Sequence, residues 1–167
     1  MTEVILSLLG GLLLYLGLAW FFPTLLRPLL WLLVHTLYRF RVYHRDRVPR
    51  SGGTLVVCNH VSFVDWLVLW VASPRTPTFV LWGQYYHNPL LRFVLSWVRH
   101  NTIRIDNRTA RPHTVSESLK RIAAALDAGQ LVVIFPEGRL TRSGNMLPFG
   151  RGIELALKHT KTDVAVV

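Results

Sequence analysis

The sequence is poor in several residue types, and each shortage narrows what the chain can be. It holds one cysteine, Cys58, in 167 residues. No intrachain disulfide can form, and no cysteine-based metal spacing exists. A reducing compartment fits this usage. Acidic residues are scarce: nine Asp and Glu stand against 19 Lys and Arg, for a formal net charge of +10. That balance suits an anionic partner, a membrane surface, or both. Nucleic acid would also satisfy the charge. The arginine-rich tail, basic helix face and zinc pattern that would favour it are missing, so no nucleic-acid partner is expected. Internal repeats and low-complexity segments are also missing. What the sequence has in quantity is apolar residues, 51% of the chain with six Trp, gathered toward the N-terminus. The length suits one hydrophobic core.

Val4 to Phe22 carries no charge. At about 1.5 Å per residue this helix would span roughly 28 Å, close to the roughly 30 Å hydrocarbon core. Pro23 ends it. A second apolar stretch, Leu29 to Tyr38, follows Arg27-Pro28 and is too short to cross. It reads as an interfacial helix or as the second arm of a shallow hairpin. Trp20, Phe21, Phe22 and Trp31 suit the headgroup boundary. Arg39, Arg41, Arg45, Arg47 and Arg50 come next, so the positive-inside rule puts the remainder in the cytoplasm, at the cell membrane. The alternatives are a cleaved signal peptide and a buried core helix. The run lacks a basic n-region and exceeds a usual h-region, which favours a retained anchor.

From residue 40 onward strand-like and helix-like runs alternate. Strands are expected at Arg41–His44, Thr54–Cys58, Thr78–Trp82, Thr102–Asp106, Leu131–Phe135 and Asp163–Val167. Helices are expected at Ser62–Ser73, Pro89–Arg99 and Gly152–His159, and over Val115, Leu119, Ile122, Ala123 and Leu126, which repeat at helical spacing. Leu131–Phe135 is apolar without a break, the pattern of a strand buried on both faces. Alternation with long crossovers predicts an α/β fold with a largely parallel sheet flanked by helices. Residues 1–38 form the anchoring segment in this reading, and 39–167 the folded domain.

In such sheets ligands bind beyond the carboxyl ends of the strands. Two motifs lie there. Asn59-His60-Val61-Ser62-Phe63-Val64-Asp65 follows one strand, and Phe135-Pro136-Glu137-Gly138-Arg139 follows another. If those strands are neighbours, both motifs open onto one site. Histidine is the residue type best suited to a general base near neutral pH, so His60 is the candidate base, with Asp65 orienting its ring. The competing reading of Ser62-x-x-Asp65 is a capping box that opens the next helix. Cys58 and His60 share a strand face, so a Cys–His nucleophile pair is a further alternative to buried filler. The loop after Glu137 carries Arg139, Arg142 and hydroxyls suited to a phosphate. Arg104, Arg108 and Arg111 form a second basic cluster. For any single arginine the competing reading is a solvated surface charge.

Together these segments resemble the glycerolipid acyltransferase family, whose best-known members are the 1-acylglycerol-3-phosphate acyltransferases. The resemblance runs from about residue 40 to the end, and the apolar N-terminus fits it. Asn59, His60, Ser62 and Asp65 match the family's first motif, and Phe135 to Gly138 match its third. The resemblance implies transfer of a fatty acyl group from acyl-CoA or acyl-carrier protein to a lysophospholipid hydroxyl, in phospholipid synthesis or remodelling. His60 would be the base and Asp65 its partner. Asn59, Ser62, Arg104, Arg108, Glu137, Gly138, Arg139 and Arg142 would serve the substrate. No metal, cofactor or acyl-enzyme is implied. Two other functions remain open on the residues: a membrane-anchored module that binds anionic lipid, and an acyl thioesterase.

The match departs from the family in the phosphate-gripping parts. The second motif, commonly Gly-x-x-x-Ile-Asp-Arg, reads Asn101-Thr102-Ile103-Arg104-Ile105-Asp106-Asn107, with its basic residue one place late at Arg108. The third motif commonly continues Thr-Arg-Ser; here Arg139-Leu140-Thr141 follows. These changes resemble the subgroup related to 2-acylglycerophosphoethanolamine acyltransferases and imply a zwitterionic or larger headgroup. Asp163 to Val167 stops inside what resembles the fourth motif, so a C-terminally truncated domain is expected.

Overall fold

The structure, a computed structural model, describes residues 1–21, 25–83, 87, 102–105, 112–141, 143 and 145–167, without the side chains of residues 20 and 112–114. It divides into two compact units, Met1–Phe40 and Arg41–Val167.

The first unit holds two helices. Helix α1, Thr2–Phe21, is the one described helix long and apolar enough to cross a membrane. Its leucines are largely exposed, as lipid-facing side chains would be. Helix α2 runs from Leu26 to Leu37. It starts earlier than the apolar pattern suggests because Pro28 falls in the first turn, where a missing N–H costs nothing. The Tyr15 hydroxyl donates to the Leu25 carbonyl. Of the expected boundary aromatics, Phe21 and Trp31 are exposed. Phe22 and the Trp20 side chain lie outside the described residues.

Among the described residues the second unit is built on five strands in the order β3-β2-β4-β1-β5, all pairs parallel. They are β1 (Thr54–Val57), β2 (Pro77–Trp82), β3 (Thr102–Ile105), β4 (Leu131–Ile134) and β5 (Ala165–Val166). The helices are α3 (Asp65–Ala72), α4 (Pro112–Asp127) and α5 (Gly152–Leu157). Each expected element among these is present within a few residues of its expected bounds. Two expectations differ. Arg41–His44 forms no strand. All four residues are exposed, so neither face has anything to cover it, and the chain goes into a short 3-10 turn at Arg45–Arg47 through a left-handed His44. Helix α3 begins at Asp65 rather than Ser62, for a reason found at the site. The helix expected at Pro89–Arg99 lies outside the described residues.

Strand β4 is central and buried throughout. It pairs with β1 on one side (Leu55↔Val132, Val57↔Ile134) and β2 on the other (Thr78↔Val132). One sheet face packs Leu55, Ile103, Val132 and Ile134 against Leu119, Ile122 and Leu126 of α4 and Ala156 of α5. Buried side chains of this size contribute roughly 1.5–3 kcal/mol each. Helix α4 ends where the Gly129 and Gln130 amides return to the Leu126 and Ala125 carbonyls, and the chain enters β4 at once. Because β1 and β4 are neighbours running the same way, the segments that leave them emerge side by side. The topology thereby meets the condition for a shared site.

Candidate active site

The segment leaving β1 stays against β4 for one more bond, from the Cys58 amide to the Ile134 carbonyl. His60 then turns up at the sheet edge. Its Nδ1 lies 2.9 Å from Asp65 Oδ2. The side chains are 20% and 16% exposed, so the pair is screened from bulk water without being sealed off. An ionised carboxylate only accepts hydrogen bonds. With Asp65 as acceptor, the neutral form of the ring carries its proton on Nδ1 and its lone pair on Nε2.

The same Oδ2 also accepts the amide protons of Val61 and Ser62, each at 2.9 Å. The Ser62 hydroxyl accepts from the Val64 amide at 3.3 Å. The capping and orienting readings of Asp65 are thus one arrangement. Its carboxylate reaches back over the turn, gathers two free amides and holds the imidazole with the same atom. This is why α3 starts at Asp65: residues 61–64 belong to the turn that the carboxylate organises. The role of Ser62 is in that turn.

The segment leaving β4 meets His60 at three places. Phe135 stacks on the imidazole with centroids 4.2 Å apart and planes 20° from parallel. Glu137 Oε1 accepts the His60 amide proton at 3.3 Å. The Thr141 amide donates to the His60 carbonyl at 2.9 Å. Gly138 makes the intervening turn possible. It adopts φ 63°, and its amide returns to the Phe135 carbonyl at 3.1 Å. A side chain there would cost about 1–2 kcal/mol of backbone strain. The Thr141 hydroxyl donates to the Asn145 carbonyl at 2.7 Å and pins the far side of the loop.

Of the ten expected site residues, His60, Asp65, Ser62, Glu137 and Gly138 come together in this way. Asn59 and Arg139 are exposed on the two segments. Arg104 lies on β3, the strand at the edge of the sheet, with β2 and β4 between it and β1. That is about 14 Å of sheet at the usual strand spacing. Arg108 and Arg142 lie outside the described residues, as does Arg111. The sequence reading gave no contact role to Phe135 or Thr141. The signal was present in the strand alternation. Ile134 is in register with Val57, so the residues just past each strand end had to meet.

Cys58 is not poised as a nucleophile. Burial, with a smaller push from the Asp65 charge, raises its thiol to about 11. It stays protonated at neutral pH, and the thiol is a poor nucleophile. The site can therefore supply an imidazole oriented by a carboxyl group beside a glycine turn, which is general-base equipment.

The chain is similar to known acyltransferases. A 1-acyl-sn-glycerol-3-phosphate acyltransferase of Cocos nucifera is 34% identical over 115 residues, covering 62% of this chain and 33% of that protein. The protein of the same name from Bacillus subtilis (strain 168) is 25% identical over 113 residues, covering 67% of this chain and 53% of that one. The chain thus spans between about a third and a half of the length of these relatives. The crystal structure of the 1-acyl-sn-glycerophosphate (LPA) acyltransferase PlsC from Thermotoga maritima aligns with a TM-score of 0.53 at 22% identity. The alignment covers 71% of this chain and 45% of that one, and it shows a common fold. The Acyltransferase family model matches residues 39–167, and the chain belongs to the acyltransferase family.

Proposed function

We propose that this chain moves a fatty acyl group from a thioester donor, acyl-CoA or acyl-carrier protein, to the free hydroxyl of a lysophospholipid. The observation that carries the reading is the contact of His60 Nδ1 with Asp65 Oδ2, made at the carboxyl edge of the sheet beside Glu137. His60 Nε2 takes the hydroxyl proton as the acceptor oxygen attacks the thioester carbonyl. Asp65 steadies the imidazolium so formed. The tetrahedral intermediate collapses, the C–S bond breaks, and the thiol leaves with the proton returned from Nε2. A thiol of pKa about 8.5 departs readily, so no metal is required. Transfer is direct, because the thiol of Cys58 is held protonated.

Gly138 and Arg139, with Asn59, Arg108 and Arg142, bind the acceptor's phosphate in this reading, and Arg104 stands further along the same sheet end. Lysophosphatidic acid, the acceptor in the names of the relatives, is the first substrate to try. The shifted arginines at 108 and 139 extend the reading to a zwitterionic headgroup. Helix α1 anchors the chain in the cell membrane, and the run of arginines after residue 38 keeps residues 39–167 on the cytoplasmic side.

The test is thiol release by the purified full chain from palmitoyl-CoA, with and without lysophosphatidic acid or lysophosphatidylethanolamine. Release that depends on acceptor and falls roughly 10²–10⁴-fold in His60→Ala is expected. Release without acceptor would make the protein a thioesterase. No release, with vesicle binding retained, would make it a lipid-binding module.

A further inference from the structure

We infer that Phe135 is a positioning residue: its ring face holds the His60 imidazole and favours the positive charge that the imidazole takes on with the acceptor's proton. The inference rests on His60 being the base proposed above. An interaction speeds a reaction only if it is stronger in the transition state than before it. Asp65 meets that condition at the Nδ1 edge, where its carboxylate faces the charge of the forming imidazolium. Phe135 meets it on the flat of the ring.

The geometry suits a cation better than it suits a neutral aromatic pair. Two neutral rings prefer offset or edge-to-face arrangements with centroids about 4.5–7 Å apart. His35 and Phe40 pair in that way, at 84° with centroids 5.4 Å apart. His60 and Phe135 lie 20° from parallel with centroids only 4.2 Å apart. The imidazole is thus spread over the negative face of the phenyl ring. A cation over such a face, within about 6 Å of its centroid, is attracted by the ring quadrupole, and the attraction grows as water is excluded. The His60 side chain is 20% exposed, so much of its hydration is already gone.

Main-chain bonds fix Phe135 from both sides. The carbonyl before it, of Ile134, takes the Cys58 amide, and its own carbonyl takes the Gly138 amide. The residue is half-buried and lies outside the hydrophobic cluster that the sheet forms with α4 and α5. Core packing does not account for an aromatic ring at this place; the imidazole does. The two carboxylates that bond to His60 leave the ring face to Phe135. Asp65 Oδ2 is on Nδ1, and Glu137 Oε1 is on the main-chain amide.

The test replaces Phe135 in the full chain with monofluoro-, difluoro-, trifluoro- and pentafluorophenylalanine. These draw electron density off the ring face and nearly keep its shape. Thiol release from palmitoyl-CoA is measured in detergent with lysophosphatidic acid or lysophosphatidylethanolamine varied, beside Phe135→Leu, Phe135→Tyr and His60→Ala. Turnover should fall step by step with fluorination. It should be roughly threefold to thirtyfold down in the pentafluoro protein and in Phe135→Leu, with the acceptor KM within about twofold of the parent. Phe135→Tyr keeps the face and should stay near the parent value. A kcat that is flat across the fluorinated series, beside an inactive His60→Ala, would reduce Phe135 to packing and overturn this inference alone. An acceptor KM that rises with fluorination at constant kcat would place the ring on the substrate and also overturn it. A fully active His60→Ala, or no release by the parent with either acceptor, would remove the base reading and this inference with it.

Discussion

The two ends of the β1–β4 pair carry polar networks of opposite character. At the amino end Arg75 reaches over from the loop after α3. Its guanidinium donates to the Gly129 carbonyl at 2.6 Å, the Gly52 carbonyl at 2.5 Å and the Thr54 hydroxyl at 2.8 Å. It ties the turn before β1 to the turn before β4. Packing there is close: a Cβ on Gly53 would lie 2.4 Å from the Leu126 carbonyl oxygen. Every partner of Arg75 is a fixed part of the fold, and the atom left over, Nε, is a buried donor. At the carboxyl end the network converges on His60 and leaves a lone pair on a ring that is 20% exposed. A network that ends on backbone carbonyls stabilises; one that ends on an accessible base is available for chemistry. The comparison separates the residues of one sheet into two jobs, and each job can be disturbed alone.

Among changes that separate the two ends, the largest effect is expected from Asp65→Asn. The asparagine oxygen can still gather the Val61 and Ser62 amides, so the turn into α3 persists. It no longer carries the charge that steadies the imidazolium. Turnover should fall roughly tenfold to a thousandfold, with acceptor affinity nearly unchanged and unfolding shifted by no more than about 1 kcal/mol. Steady-state kinetics and chemical unfolding on the same preparation check it. Normal turnover per folded molecule with a large loss of stability would return Asp65 to a purely capping role and dissolve the contrast between the two ends.

Arg75→Met should give the reverse pattern. The methionine keeps much of the stem's packing and removes all three hydrogen bonds. A loss of about 2–3 kcal/mol in unfolding free energy is expected, since bonds from a charged donor count for more than neutral ones. Activity per folded molecule should stay at the parent value. A kinetic defect in a stable Arg75→Met protein would mean that the amino end communicates with the site.

The sequence disclosed the second unit's elements more fully than the contacts between them. Strand β4 is legible because an unbroken apolar run has one good explanation, burial on both faces. Helix α4 is legible because Leu119, Ile122, Ala123 and Leu126 recur at its period and are buried. Arg41–His44 misled because alternation alone does not supply a neighbouring strand. His60 and Asp65 stood out because five residues separate them, and a local pair needs no knowledge of topology. The grip of Phe135, Glu137 and Thr141 on His60 was hidden for the opposite reason. It joins residues 77 apart in the chain in the case of Glu137, and it exists only because β4 inserts beside β1. Chain order does not state that insertion. Arg104 shows the same limit, since a motif position close in sequence to others of its kind ends up on the sheet edge.

The smallest effect belongs to Asp127, at the end of α4 and so on the amino side of the sheet. Its Oδ1 accepts the Lys161 amide at 2.8 Å, the Thr162 amide at 3.0 Å and the Thr162 hydroxyl at 2.9 Å, closing the approach to β5. The Lys161 amide bond is the main reason that its carboxyl lies below the ordinary 3.8, with the Thr162 bonds and the Lys161 charge adding to it and desolvation opposing. A folded-state value below the unfolded one stabilises the protein above the unfolded pKa, and the contribution is lost as pH falls through the folded value. Asp127→Asn should therefore melt slightly below the parent at pH 7. The gap should begin to close near about pH 4 and vanish in stronger acid. Activity at pH 7 should not change, because the residue belongs to the end of the sheet that holds the fold. A gap in melting temperature that persisted unchanged into strong acid would mean that the difference comes from the shape of the side chain, and that charge has no part in tying α4 to β5.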